Sequence, residues 1–213
     1  MPLKFLITAG PTREPLDPVR FISNPSSGRM GFALAEAAAA AGHSVRLIAG
    51  PTCLDPPSAD EVVRVITAQQ MRDAVLSRLA DTNILIMAAA VADYRPKVFS
   101  KSKIKKRREV FALDLEQTPD ILTEAARTKE RRMHVGFAAE SENVIENAQA
   151  KLETKGLDLI VANDLGEAGS GFGTETNRAT LVWRDGRIEA LPKMTKRDLA
   201  EHIIQAVVDP YGG

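Results

Sequence analysis

The sequence predicts an α/β fold: a mostly parallel sheet with helices on both faces, followed by a C-terminal β-hairpin. Three observations predict it. Short apolar runs alternate along the chain with segments suited to helix, the pattern of a parallel sheet covered on both sides. The first two runs stop abruptly at Gly-Pro, at Gly10-Pro11 and Gly50-Pro51. Near the C-terminus two apolar runs flank Asp185-Gly186, a hairpin signal. Together they describe a three-layer, Rossmann-like arrangement.

Each element has a local reason. Leu3 to Ala9 is compact and apolar, as a buried strand requires. Pro11, Pro15, Pro18 and Pro25 exclude a regular helix from Pro11 to Gly28, so this stretch reads as a long loop. From Gly28 to Ala41 the chain becomes alanine-rich, with the highest helix propensity, and Gly42 stands where a C-cap glycine belongs. Ser44 to Ala49 is a second strand. Val62 to Thr67 reads as a strand, Ala68 to Leu79 as a helix carrying Met71, Val75 and Leu79, and Ile84 to Ala88 as a very apolar strand. A helix from Pro119 to Lys129 and a strand from His134 to Ala138 follow. A helix from Asn143 to Lys155, closed by Gly156, leads to a strand from Leu157 to Ala162. Ala179 to Trp183 and Arg187 to Leu191 form the hairpin, with Asp-Gly suited to a primed turn. The last helix runs from about Thr195, its N-cap, to Val208. No repeat or linker divides the chain, so residues 1–213 are expected to form one domain.

Composition narrows the function. There are 28 Lys+Arg against 28 Asp+Glu, so no global field draws the chain to nucleic acid or to an anionic membrane. A bound anion must be held locally. At 213 residues the chain can bury roughly 70% of its unfolded surface without staples. Cys53, the only cysteine, excludes an internal disulfide and a cysteine metal cluster. The first apolar run is too short for a signal or a membrane span, which predicts a cytoplasmic protein. Aromatics at 5% disfavour base-stacking readers.

Several segments carry chemistry. Ser23 to Gly31 (SNPSSGRMG) follows the first strand and opens a helix, where serines, glycines and backbone N–H groups can meet an anion. It lacks the Gly-Lys-Ser/Thr ending of a Walker loop, and Gly10 and Gly28 are too far apart for a dinucleotide fingerprint. An N-cap serine with a glycine turn gives the same pattern. Ala88 to Arg95 (AAAVADYR) ends the third apolar strand; its small side chains admit a ligand to the backbone, and Asp93 can accept from a hydroxyl or meet a metal. A packed strand end with Asp93 opening a turn is the plainer alternative. Lys101 to Arg108 is strongly basic, ordinarily a solvated face, but it interrupts a folded pattern. Lys151 and Lys155 share a helix face. Phe137 and Asn163 end successive strands, where each can touch a base or serve the core. His43, His134 and His202 lack ligand spacing, so no histidine-bound metal is expected.

Nine segments in order resemble phosphopantothenoylcysteine synthetase, the ligase of coenzyme A biosynthesis. They are Thr8–Asp17, Arg20–Asn24, Ser26–Gly28, Met30–Gly31, Ala89–Tyr94, Lys103–Lys106, Pro119–Ile121, Gly136–Glu140 and Ala162–Asp164. The resemblance implies that a nucleoside triphosphate activates the carboxylate of 4′-phosphopantothenate with release of pyrophosphate. The cysteine amine then attacks the acyl-nucleotidylate. CTP is the expected nucleotide, with ATP as the alternative, and Mg²⁺ accompanies it. The resemblance also implies a homodimer in which Arg20 reaches the substrate phosphate of the neighbouring subunit.

By motif, Asn24 is expected to hold the acyl intermediate and Lys103 to stabilise charge at the α-phosphate. Ala89, Ala90 and Asp93 would line the substrate pocket. Gly10, Ser26, Gly28 and Gly31 would cradle phosphates. Met87, Ala88, Pro119, Asp120, Ile121, Leu122, Phe137, Lys151, Lys155 and Asn163 would contact the nucleotide. The glycine-rich stretch 166–177 would be a lid over the labile intermediate. Arg29 stands where the family commonly has Lys, and Pro25 follows Asn24. Bacterial members are usually fused to an amino-terminal flavin-dependent decarboxylase that is not in this sequence, so the resemblance implies either a stand-alone synthetase, with a separate decarboxylase as partner, or a domain excised from such a fusion; no flavin is expected in this domain. A nicotinamide oxidoreductase would need a glycine fingerprint and an acidic end to the second strand, which instead reads Ile48-Ala49-Gly50. A nucleic-acid module would rest on Lys101 to Arg108 alone. A ligand sensor without catalysis is disfavoured by Asn24, Asp93 and Lys103.

Overall fold

The computed structural model describes residues 1–106, 112–140, 142–164 and 174–211. In chain order the elements are β1 (Lys4–Ala9), β2 (Arg13–Asp17), β3 (Arg20–Ser23), α1 (Arg29–Ala40), β4 (Ser44–Ala49), β5 (Glu61–Arg64) and α2 (Ala68–Leu76). A 3₁₀ turn (Leu79–Asp81) precedes β6 (Ile84–Met87), β7 (Tyr94–Pro96), β8 (Leu115–Gln117), α3 (Ile121–Ala126), β9 (Met133–Glu140), α4 (Val144–Thr154) and β10 (Leu159–Asp164). The chain continues through β11 (Thr176–Asn177), β12 (Ala179–Trp183), β13 (Ile188–Ala190), β14 (Met194–Thr195) and α5 (Lys196–Val208) to a 3₁₀ turn at Asp209–Tyr211.

Eight strands form the main sheet in the order β13-β12-β10-β9-β6-β1-β4-β5. From β10 to β5 all neighbours are parallel, while β12 and β13 run antiparallel. Read from β5, the six parallel strands have the 3-2-1-4-5-6 order of a doubly wound sheet, with its switch point between β1 and β6. The expected fold class is therefore the observed one.

Alternation along β1 explains the layers. Phe5, Ile7 and Ala9 pack with Leu34 of α1 and Leu199 and Ile203 of α5. Leu6 turns to the other face, against Met71 and Val75 of α2 and Ile121 of α3. Beyond them on the sheet, Ala148 and Leu152 of α4 cover Ile160 of β10.

Several boundaries differ from expectation for identifiable reasons. The stretch from Pro11 to Gly28 contains the antiparallel β2–β3 ribbon, whose register shifts between Pro15 and Asp17. That irregularity accommodates a residue without an N–H. Tyr94–Pro96 and Leu115–Gln117 form a second ribbon the sequence did not signal. The strand expected through Thr67 ends at Arg64, because Thr67 and Gln70 form a capping box that starts α2. The helix expected from Pro119 starts instead at Ile121, because the Asp120 side chain accepts from Thr123 N–H. The hairpin turn is not of the primed two-residue kind. Gly186 N–H donates to Trp183 O at 3.1 Å and Gly186 alone takes positive φ (+90°), giving a three-residue loop. Thr195 caps α5 as expected, accepting from Asp198 N–H.

Candidate functional site

At the switch point the chain leaving β1 and the chain leaving β6 stay together past the sheet. Ala90 N–H donates to Gly10 O at 2.9 Å and Thr12 N–H to Ala90 O at 3.3 Å. Two threonines fasten the same segment, with Thr8 Oγ1 accepting from Ala89 N–H (3.1 Å) and Thr12 Oγ1 from Ala92 N–H (3.0 Å). Small side chains at 88–90 keep this floor low. Above it lies a cleft of about 830 Å³.

One wall is the start of α1. Gly28 occupies the N-cap with φ +80° and no side-chain cap, and the first turn carries no acid. Its first N–H groups are thus open to an anion. Ser26, Gly28 and Gly31 line this wall. A Cβ on Gly31 would stand 2.5 Å from Ala9 Cβ and 2.8 Å from Thr8 O, so only glycine lets α1 lie this close to β1. Asn24 precedes the wall and lines the cleft. Its Nδ2 donates to Val91 O (3.0 Å) and Ala90 O (3.4 Å), which assigns the amide orientation and leaves Oδ1 as the group for a ligand.

The opposite wall comes from β6, β9, β10, α3 and α4. Met87, Ala88, Ala89 and Ala90 form the floor beside the exposed Asp93. Pro119 to Leu122 line the cleft together with Phe137, Asn163, Lys151 and Lys155. Lys151 Nζ donates to Phe137 O at 3.0 Å, and Lys155 pairs with Asp120. Burial raises the Asp120 pKa, but its bonds from Lys155 and Thr123 outweigh that and hold it below the usual carboxylate value.

Three expected site residues lie elsewhere. Gly10 does not line the cleft: its φ is +77°, and a Cβ there would meet Thr52 Cγ2 at 2.8 Å, as would one on Gly28. Its part is to let the chain turn under Gly28. Arg20 belongs to β3 on the outer ribbon and pairs with Asp17. Lys103 is exposed and outside the cleft. Arg107 and Arg108 of the basic run, and most of the glycine-rich stretch proposed as a lid, lie outside the described residues.

The cleft also holds residues that the sequence did not single out for it. Lys196, 8% exposed, opens α5 and reaches Thr174 O with Nζ at 2.6 Å. Burial, then the nearby Arg29, lowers its pKa. Asn177 Nδ2 donates to Asn163 Oδ1 at 3.3 Å, and Arg29 pairs with Glu175 at 2.9 Å. No local pattern marks Lys196, because α5 arrives from the far end of the chain. The lining thus carries Arg29, Lys151, Lys155 and Lys196 against the carboxylates Asp93 and Asp120. Such a surface suits a polyanion in a chain of zero net charge. Among the described residues no group of three or more His, Cys, Asp or Glu could hold a metal, and no helix is long and apolar enough to cross a membrane.

Residues 2–211 match the family model described as the DNA/pantothenate metabolism flavoprotein C-terminal domain. The coenzyme A biosynthesis bifunctional protein CoaBC of Bacillus subtilis (strain 168) is 47% identical over 203 residues, 95% of this chain and 50% of that protein. This chain therefore spans about half the length of the curated relatives it matches. The crystal structure of the C-terminal domain of a CoaBC protein superposes with a TM-score of 0.85 at 41% identity, covering 99% of this chain and 98% of that one. A Cab2 mutant in complex with phosphopantothenate-cysteine shares the fold, with a TM-score of 0.78 at 19% identity over 98% of this chain and 87% of that one.

Proposed function

Since the chain belongs to the DNA/pantothenate metabolism flavoprotein C-terminal domain family, we propose that it is the phosphopantothenate–cysteine ligase of coenzyme A biosynthesis. The observation that carries this reading is the switch-point cleft, with an open helix N-terminus and, among the described residues, four cations against two carboxylates. The carboxylate of 4′-phosphopantothenate attacks the α-phosphate of CTP and pyrophosphate leaves. The cysteine amine then attacks the acyl carbon, expelling CMP and a proton and forming the amide. ATP is the alternative nucleotide.

Such chemistry asks for positioning and charge stabilisation rather than acid–base catalysis. The N–H groups at Gly28–Gly31 and Ser26 hold phosphates. Phe137, Asn163, Lys151 and Lys155 receive the nucleoside end. Asn24 Oδ1 orients the acyl intermediate above Ala89 and Ala90. Lys103 and Arg20 do not line the cleft of their own chain; by the resemblance Lys103 stabilises charge developing at the α-phosphate, and Arg20 binds the substrate phosphate of the neighbouring subunit. Mg²⁺ would accompany the triphosphate and screen its charge; of the two exposed carboxylates that line the cleft among the described residues, Asp120 is paired with Lys155 and Asp93 would be the one suited to hold the ion. The enzyme acts as a homodimer, and its product passes to a flavin-dependent decarboxylase.

The test is pyrophosphate release from phosphopantothenate, cysteine, Mg²⁺ and either CTP or ATP. Silence with both nucleotides would sink the reading. Lys103→Gln is expected to slow formation of the acyl-nucleotidylate at least a hundredfold. Asn24→Asp is expected to impair mainly its conversion to product. Wild-type rates in both variants would refute these roles.

A further inference from the structure

We propose that Asp17 is a positioning residue that holds the Arg20 guanidinium and the Lys103-bearing segment together as one unit on the β2–β3 ribbon. The assignment rests on the ligase reading above and extends it to a residue outside the cleft. Asp17 is buried, with no exposed side-chain surface. A buried carboxylate is tolerable only when its lone pairs are satisfied. Here five N–H groups converge on it. Oδ1 accepts from Val19 N–H at 2.9 Å and Arg20 N–H at 3.0 Å. Oδ2 accepts from Arg20 Nε at 3.1 Å, Arg20 Nη2 at 2.5 Å and, from far along the chain, Ile104 N–H at 3.1 Å. Arg20 Nη2 also donates to Ile104 O at 3.0 Å.

The two oxygens do different work. The Oδ1 bonds close a tight turn, which an asparagine oxygen would close equally well. The Oδ2 bonds have no part in that turn. They fix the Nε–Nη2 edge of Arg20 and hold the Ile104 N–H directly, while the Nη2 so fixed holds the Ile104 carbonyl, beside Lys103. Arg20 Nη1 has no bond among the described residues, and the side chain is 47% exposed. A guanidinium held along one edge and open along the other is oriented for a phosphate rather than merely near one. The Arg20 pairing, then the backbone bonds, holds the Asp17 carboxyl far below the usual carboxylate range against the opposing effect of burial, so the charge persists throughout the working pH range.

Asp17→Asn separates the two roles. It keeps Oδ1 for the turn but puts an NH₂ where Oδ2 meets three donors. Ile104→Pro removes only the backbone donor at 104 and leaves the Asp17–Arg20 pair. In the full chain, trypsin cleavage after Lys101 and Lys105 is expected to accelerate at least tenfold in both variants; the bond after Lys103 is left out of the comparison because a Lys–Pro bond resists trypsin. In Asp17→Asn, KM for phosphopantothenate should rise and kcat fall at least tenfold, with KM for the nucleotide within twofold. In Ile104→Pro the loss should fall on kcat, with KM for phosphopantothenate within threefold. Wild-type cleavage and kinetics in Asp17→Asn would overturn the proposal. So would a uniform loss in every parameter that tracks a fall in Tm. If the wild-type protein released no pyrophosphate, the ligase reading would fail by itself. Cleavage would then decide alone: acceleration in both variants supports the tether, and wild-type cleavage in both overturns it.

Discussion

His134 is fully buried in β9, and neither ring nitrogen has a hydrogen-bond partner among the described residues. Burial, reinforced by Lys129, lowers its pKa from 6.5 to about 4, and Asp158 only partly offsets this. The folded protein therefore keeps the ring neutral where the unfolded chain would protonate it. Between pH 6.5 and about 4 the unfolded state binds more protons, so stability falls as pH falls through this window. A shift of this size corresponds to about 3 kcal/mol once the window is crossed. We expect His134→Leu to lose most of this dependence. Denaturant melts should show wild type losing ground to the variant from pH 6.5 downward, with no further divergence below pH 4. Parallel curves across that range would show that the ring is not held neutral. His43 and His202 are engaged differently, one accepting from Leu3 N–H and the other facing Glu189.

At the scale of the element, the decisive contact is α1 against β1. Alanine at an exposed helix position would gain up to about 1 kcal/mol over glycine in propensity. At Gly31 the added carbon would strike Ala9 Cβ and Thr8 O, neither of which can swing aside as a long side chain would. Gly31→Ala is thus expected to destabilise by about 1–3 kcal/mol net. It should also raise KM for the nucleotide, because α1's first N–H groups move with the helix. A stabilised protein with unchanged nucleotide affinity would contradict this account. The same contrast explains what the sequence could disclose. The strands of the parallel sheet and the helices α1, α4 and α5 were legible because burial, alanine content and caps act within each segment. The Asn24, Ala88–Ala90, Phe137 and Asn163 parts of the cleft were legible as strand ends and loops with chemistry of their own. The β2–β3 ribbon was not, because its prolines argue against ladder pairing and only the irregularity at Pro15–Asp17 reconciles them. Lys196 and Asn177 were not, because β11 and β14 pair across a gap in the chain to bring them to the cleft.

At the scale of the molecule, the outer ribbons present an apolar face that the fold of one chain does not use. Val19 and Phe21 are 59% and 50% exposed, and Val98 and Phe99 are 74% and 50% exposed. Ser100 N–H donates to Leu16 O at 3.0 Å, which carries residues 98–99 past the β2–β3 ribbon. Arg20, with one guanidinium edge free of bonds among the described residues, lies on the same ribbon. A second copy of this chain would cover the face and bring Arg20 toward another cleft, as the homodimer reading requires. In a two-fold interface each substitution occurs twice, so a carboxylate introduced into an apolar contact must be desolvated in both copies, a cost that a neighbouring cation only partly offsets. Phe21→Glu suits this test because Arg13 already stacks on Phe21, 4.6 Å from its centroid. Within one chain the new carboxylate would have a cation beside it, so the fold itself should lose little. We expect the wild-type protein to sediment as a dimer, and to remain so in about 1 M salt, where exposed charge pairs are screened within about 3 Å but apolar burial is not weakened. Phe21→Glu combined with Phe99→Glu should sediment as a folded monomer with Tm within a few degrees of wild type. Its pyrophosphate release should fall at least tenfold, because Arg20 no longer reaches a neighbouring site. A double variant that remained dimeric would place the interface elsewhere. A fully active monomer would confine the site to one chain and remove Arg20 from it.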